Sequence, residues 1–357
     1  VQSLQNFLTL MMYLHHARKI QMKLNLAKTA GAVLLGLACV TTAGTASAAN
    51  KPATTASQHV SDAALVRSLP GFENGFAEVN GVRLHYVKGG QGEPLVLLPG
   101  WPETWWSFHK LMPELSRHYT VIAVDLRGMG TSAKPADGYD KKTMAADIHE
   151  LVKSLGYQRA HIAGHDIGSA VALAYGANYP EATKKVVMLE LPHPDESLQS
   201  FQLLPAHHTF SDKLDFAHPY LWWFAFNQVK GLPEQLLQGR ARIQQDWLFK
   251  YFLLDEGALD ARDRAVYAHA YDSADAIRAS NGWYQAFSQD VIDYKAYGKL
   301  DMPVLAMGAP AYRWMSKVVP KKAEHATVVN VERSGHFVHE EQPAFVVRSM
   351  LDFLSAE

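Results

Sequence analysis

Arg159-Ala160-His161-Ile162-Ala163-Gly164-His165-Asp166-Ile167-Gly168-Ser169-Ala170 is the stretch that decides how the chain is read. A short apolar run ends in Gly164-His165-Asp166-Ile167-Gly168, and small apolar residues follow, so the spacing predicts strand, sharp turn, helix. The pattern G-x-D-x-G has the form of a nucleophile elbow with aspartate where serine usually sits. Glycine is needed two residues to either side because a Cβ there would collide with the tight strand–helix packing, and the turn residue itself sits at a strained angle. A carboxylate at the tip cannot acylate as a serine does. It can attack an electrophilic sp3 carbon and form an alkyl ester. The competing reading of Asp166 is a cap for the helix that follows.

Outward from the elbow, strands and helices alternate. Residues 76–79 and 82–87 read as two strands joined at an Asn80-Gly81 turn. Residues 94–99, 120–124, 159–165, 185–189, 303–307 and 327–331 are apolar runs of the kind buried on both faces of a sheet. Helical periodicity lies between them, at 143–155, 168–178 and 343–354. This is an α/β pattern, a mostly parallel doubly wound sheet. Residues 195–297 break it. They hold no convincing strand, are rich in Trp, Phe, Tyr and Gln, and read as an all-helical lid inserted between core segments 71–194 and 298–357.

The composition suits a buried core: 357 residues, 48% hydrophobic and 19% charged. Net charge is −1, from 34 Lys+Arg against 35 Asp+Glu, so no field of either sign points to nucleic acid or an anionic membrane surface. At the N-terminus, a basic segment from Met22, an apolar run at 30–40 and Ala46-Ser47-Ala48 have the form of a secretory signal peptide over 22–48, cleaved near Ala48. Residues 1–21 read as a non-native leader or over-extended start, and 49–70 as a flexible lead-in. The mature chain is then expected in the periplasm or outside the cell, with no membrane segment. It would have no cysteine, since Cys39 is the only one.

A nucleophilic aspartate needs three supports. Oxyanion donors are expected from the backbone N–H of Ile167, at a helix N-terminus, and of Trp101, in the loop after an early strand. A general base is expected at His336, in Ser334-Gly335-His336-Phe337 after the last strand, with His339 as a nearby decoy. A carboxylate must hold the imidazole in its productive tautomer. The strand at 303–307 leads into Gly308-Ala309-Pro310-Ala311, which offers none. Glu190 ends the strand after the elbow helix at the same rim and takes that role, with Asp195 as fallback. His165 and Phe337, beside the nucleophile and the base, are expected in the pocket. No metal or organic cofactor is required.

Gly100-Trp101-Pro102-Glu103, Asp125-Leu126-Arg127-Gly128, His165-Asp166-Ile167-Gly168 and Gly335-His336 together resemble the epoxide hydrolase branch of the α/β-hydrolases, which also contains haloalkane and haloacetate dehalogenases. The nearest likeness is to secreted bacterial members. The resemblance implies the α/β-hydrolase fold, an Asp-His-Glu triad and a small apolar epoxide as substrate. It also implies self-association through the lid as a homo-oligomer. Tyr284 matches a lid tyrosine that protonates the ring oxygen. Trp223 falls where the branch has a second Tyr or His, and an indole N–H donates a hydrogen bond but is no usable acid. Trp223 or Trp222 with Tyr284 could instead cradle a leaving halide, or the tryptophans could simply pack the lid. The expectation is an epoxide hydrolase acting through an alkyl–Asp166 ester. The alternatives are a dehalogenase with the same nucleophile and a non-catalytic binding protein on the scaffold.

Overall fold

The computed structural model describes residues 60–208, 211–215 and 218–356. The leader, the signal-peptide reading of 22–48 and Cys39 lie outside the described residues. The chain folds around one eight-stranded sheet: β1 (Phe72–Val79), β2 (Val82–Gly89), β3 (Glu93–Leu98), β4 (Tyr119–Val124), β5 (Ala160–His165), β6 (Thr183–Leu189), β7 (Val304–Gly308) and β8 (Ala326–Asn330), in the order β1-β2-β4-β3-β5-β6-β7-β8. β1–β2 and β2–β4 pair antiparallel, and every other pair is parallel. The hairpin turn is Asn80-Gly81, both at positive φ (47° and 75°), the twist a two-residue turn needs.

β4, β5 and β7 are buried along their whole length, as their unbroken apolar runs require when helices cover both faces. One consequence positions the site. Parallel strands β3, β5, β6 and β7 point the same way, so their C-terminal ends share one rim. Leu98 lies opposite Gly164 and Leu189 opposite His165. Trp101, Asp166, Glu190 and Ala309 therefore emerge side by side, in the crevice where such sheets bind ligands.

The lid lies between Glu190 and β7. Its longer helices are Ala241–Phe252, Ala261–Ala270, Ala274–Gln285 and Phe287–Ala296, and no strand occurs in it among the described residues. A buried ion pair bolts it to the core. Lys141, at the start of the core helix Lys141–Ser154, sets its Nζ 2.8 Å from Asp290 and donates to the Trp283 carbonyl at 2.6 Å, with Lys141 and Asp290 fully enclosed. Trp283 is enclosed as well, and its Nε1 donates to the Arg127 carbonyl at 3.1 Å.

The flexible lead-in needs correction over its last third. Asp62–Val66 is a helix capped by Ser61, Leu65 is wholly buried against the core, and Asp62 accepts a 2.8 Å hydrogen bond from Trp105 Nε1. Averaged composition hid it, because Ser61-Asp62 starts a helix and Leu65 and Leu69 supply one apolar stripe. No helix among the described residues is long and apolar enough to cross a membrane.

Candidate active site

The elbow is as tight as its glycines demand. A Cβ on Gly164 would lie 2.0 Å from the Gly168 carbonyl oxygen, and one on Gly168 would lie 2.0 Å from that of Leu98. Asp166 sits between them at φ 50°, ψ −119°, a region that side chains rarely occupy. Its carboxylate makes no cap bond to the following helix, which removes the capping reading. It accepts the Trp101 N–H at 3.2 Å, and the nearby Ile167 N–H favours its ionised form.

His336 bridges two carboxylates. Its Nε2 is 3.4 Å from Asp166 Oδ2 and its Nδ1 is 3.2 Å from Glu190 Oε2. Glu190, at φ 64°, also accepts the Ala309 N–H, so the end of β7 supplies a backbone donor and no carboxylate. Asp195 caps its own short turn through the Ser197 N–H at 2.9 Å. Burial works against a charged His336 ring, but hydrogen bonds and charge from Asp166 and Glu190 outweigh it and carry the ring up to about 10. Burial also pushes Asp166 up, and there His336 wins, leaving Asp166 below its ordinary value. For Glu190 burial prevails and its carboxyl is raised. The resting site is thus an ion pair between Asp166 and the His336 imidazolium, with Glu190 behind it.

A cavity of about 400 Å³ opens over Asp166. Trp101, Glu190, Trp223, Tyr284, His336 and Phe337 line it with the nucleophile. Tyr284 packs edge-on against Trp101, ring centroids 5.5 Å apart, and the Trp223 side chain is near enough to favour its ionised hydroxyl. Burial first, and then the Asp166 charge, push the Tyr284 hydroxyl well above its ordinary range, with Trp223 offsetting part of that.

Two expected pocket residues lie elsewhere. His165 is fully buried behind the nucleophile, its Nδ1 3.0 Å from Glu103 Oε2 and its Nε2 2.9 Å from the His336 carbonyl oxygen. Successive strand side chains alternate, and the turn at Asp166 sends only the nucleophile out over the rim. Trp222 packs on Trp247 and Phe226, at 5.4 and 5.8 Å, because neighbours on a helix point about 100° apart and only Trp223 reaches the cavity. Phe226, Trp247, Phe249 and Trp283 are likewise lid packing and do not line it.

Sequence reading missed Leu248, Phe252 and Trp314. Leu248 and Phe252 are four apart on one face of the helix Ala241–Phe252, a stripe that periodicity could have shown. Trp314 follows β7, whose end had already been placed at the rim.

Comparison with known proteins bears on the family and the fold. A family model described as "alpha/beta hydrolase fold" matches residues 93–343. The chain belongs to the α/β-hydrolase family. Within it the chain is epoxide hydrolase-like: a soluble epoxide hydrolase of Corynebacterium sp. (strain C12) is 34% identical over 288 residues, 78% of this chain and 96% of that one. A fluoroacetate dehalogenase of Burkholderia sp. is 30% identical over 173 residues, 47% of this α/β-hydrolase and 53% of that enzyme. The Cif epoxide hydrolase of Acinetobacter nosocomialis superposes with a TM-score of 0.73 over 84% of this chain and 95% of that one. At 22% identity it speaks for the fold alone.

Proposed function

We propose that this α/β-hydrolase opens epoxides to diols through a covalent ester on Asp166. The observation that carries the reading is the His336 bridge between Asp166 and Glu190 beneath a cavity that Tyr284 also lines. Asp166 attacks one ring carbon, the carbon–oxygen bond breaks, and the departing oxygen takes the Tyr284 hydroxyl proton. Esterification removes the Asp166 charge beside His336, which leaves Glu190 as the one carboxylate favouring a charged ring, and the ring's proton restores Tyr284. The neutral ring then takes a proton from a water that attacks the ester carbonyl. Trp101 and Ile167 N–H groups hold the resulting oxyanion. The tetrahedral species expels the second diol oxygen, which takes the proton of the newly added hydroxyl, and the Asp166 carboxylate returns beside the His336 imidazolium.

The substrate this favours is small, apolar and uncharged. Leu191, Phe201, Leu221 and Phe224 share the lining with the groups above, and neither Lys nor Arg is among the lining residues. A haloacid carboxylate would find no Lys or Arg there among the described residues, only the His336 ring already paired with Asp166, which speaks against haloacetates. Neutral haloalkanes remain the second reading, because the Trp223 indole and the Tyr284 hydroxyl both reach the cavity and could cradle a halide. The test is a panel of epoxides and haloalkanes given to His336→Gln, followed by intact-protein mass spectrometry, with diol and halide release assayed on the native enzyme. An epoxide-sized adduct on the Asp166 peptide supports the reading. Absence of any adduct, with full activity in Asp166→Ala, would sink it.

A further inference from the structure

Behind the nucleophile, three side chains of metal-ligating type converge, and the mechanism above uses none of them. His165, Glu103 and His339 are all enclosed, with the His165 and His339 rings 4.4 Å apart and Glu103 Oε2 3.0 Å from His165 Nδ1 and 3.5 Å from His339 Nε2. One donor atom from each residue lies within 4.8 Å of the other two. A hydrogen between His165 Nδ1 and Glu103 joins those two atoms alone and leaves the rest unanswered. Neither nitrogen of His339 makes a hydrogen bond among the described residues, and Glu103 Oε1 makes none either. Orphaned buried polar atoms of this kind are rare and call for a partner. The other cluster of similar make-up, Asp62, His85 and Asp125, is a contrast. There His85 has Asp125 Oδ2 and Asn74 Oδ1 at 2.9 Å each, Asp62 accepts from Trp105 Nε1 and Thr131, and Asp125 accepts the Trp105 backbone N–H. That cluster is satisfied by the protein itself; the one behind the nucleophile is not.

We propose that Glu103, His165 and His339 form a structural zinc site. Two imidazoles and a carboxylate are a recurring zinc donor set. Donor atoms bonded about 2.1 Å from one zinc ion subtend about 90° at it when 3.0 Å apart and about 113° when 3.5 Å apart, close to the angles zinc adopts. The ion answers His339 Nε2, and Glu103 Oε1 completes the shell as the second arm of its carboxylate. His165 is already held as metal-bound histidines are, with its other nitrogen, Nε2, 2.9 Å from the His336 backbone carbonyl oxygen. The placement gives the site its purpose. Glu103 comes two residues after Trp101, His165 one before Asp166, and His339 three after His336. The loop after β3, the end of β5 and the segment after β8 thus each carry one ligand and one site residue. A single ion fastens the oxyanion donor, the nucleophile and the base from beneath and takes no part in the reaction, so the proposal does not rest on the epoxide reading. All three side chains are enclosed, so the ion enters as the chain folds.

The test reads metal and needs no turnover. The full chain is produced in minimal medium with zinc as the added transition metal, purified without an affinity tag and dialysed against EDTA. Elemental analysis should find roughly one zinc per chain in the native protein, because three protein ligands in an enclosed site hold it. Glu103→Gln and His339→Leu should each lower that content about tenfold or more, since each removes a ligand. Undiminished zinc in both variants places the ion elsewhere and overturns the proposal. The native protein decides the matter even if neither variant folds. Grown on cobalt in place of zinc, it should show the intense visible bands of a four-coordinate cobalt ion with nitrogen and oxygen ligands. Native protein that holds no zinc after dialysis overturns the site, and so does cobalt with only the weak bands of a six-coordinate surface ion.

Discussion

The sheet rim and the lid face each other across one cavity, yet they hold their residues by different physics. At the rim, Trp101, Asp166, Glu190 and His336 are placed by backbone: parallel register, two glycines that nothing else replaces, and turns at unusual φ. In the lid, Trp223 and Tyr284 are placed by side-chain packing on two helices, Trp222–Phe226 and Ala274–Gln285, with a buried ion pair tying their neighbourhood to the core. Backbone placement is set locally and survives many substitutions nearby. Placement by packing is collective, so a rim change should abolish chemistry at constant fold, while a lid change should move stability, selectivity or both.

That contrast can be broken in order of size. His336→Gln should lower steady-state turnover by about 10⁴-fold while ester still forms, read as a burst without following turnover. The same variant removes a pH-dependent part of stability. His336 is raised from its ordinary 6.5 to about 10, so its contribution is whole below about 6.5 and is lost as pH rises through about 10. Thermal unfolding of native and variant protein across that window should converge at the alkaline end, and a constant gap would contradict the ion pair. Next is Lys141→Met, which strands Asp290 in the core and should cost about 3–5 kcal/mol in urea unfolding while rim chemistry persists in the folded fraction. Tyr284→Phe should then lower epoxide opening by about 10²-fold and leave melting almost unchanged. Equal loss on epoxides and haloalkanes would mean that Tyr284 shapes the cavity and is not the acid.

The smallest effect separates two neighbours. Trp223→Phe removes an indole N–H from the cavity wall that Tyr284 also lines and should lower kcat by roughly tenfold, the order of one buried hydrogen bond. Trp222→Phe should stay within about twofold, because its indole packs on the lid and does not reach the cavity. If both behave alike, the lid is a packing element only.

The same division explains what could be read from the chain. The elbow was legible because only glycine fits at 164 and 168, and Glu190 because an apolar run stopped one residue before it. His165 was misplaced although it touches Asp166 in sequence, since adjacency does not tell which side of a strained turn a ring takes. The lid was legible as helical but not as a surface. Whether Trp222 or Trp223 lines a cavity depends on helices that meet only in the folded chain. The helix Asp62–Val66 escaped for the opposite reason: its signal was local, and a polar neighbourhood diluted it.

The Lys141–Asp290 bolt also governs traffic. Arg278 reinforces it from the same lid helix as Tyr284, donating to the Lys134 and Pro135 carbonyls at 2.7 and 2.8 Å. That flank is shut. The exposed residues of the cavity wall, among the described residues, are Ser200, Gln202, His218 and Pro219, all in the stretch 200–219 of the lid. Under the proposed reaction, epoxide and diol would pass this edge, where Ser200, Gln202 and His218 are polar, while the lining nearer Tyr284 includes Leu221 and Phe224. On that reading a diol, newly able to hydrogen-bond, would be drawn toward the polar edge, so the cavity would favour departure of its own product.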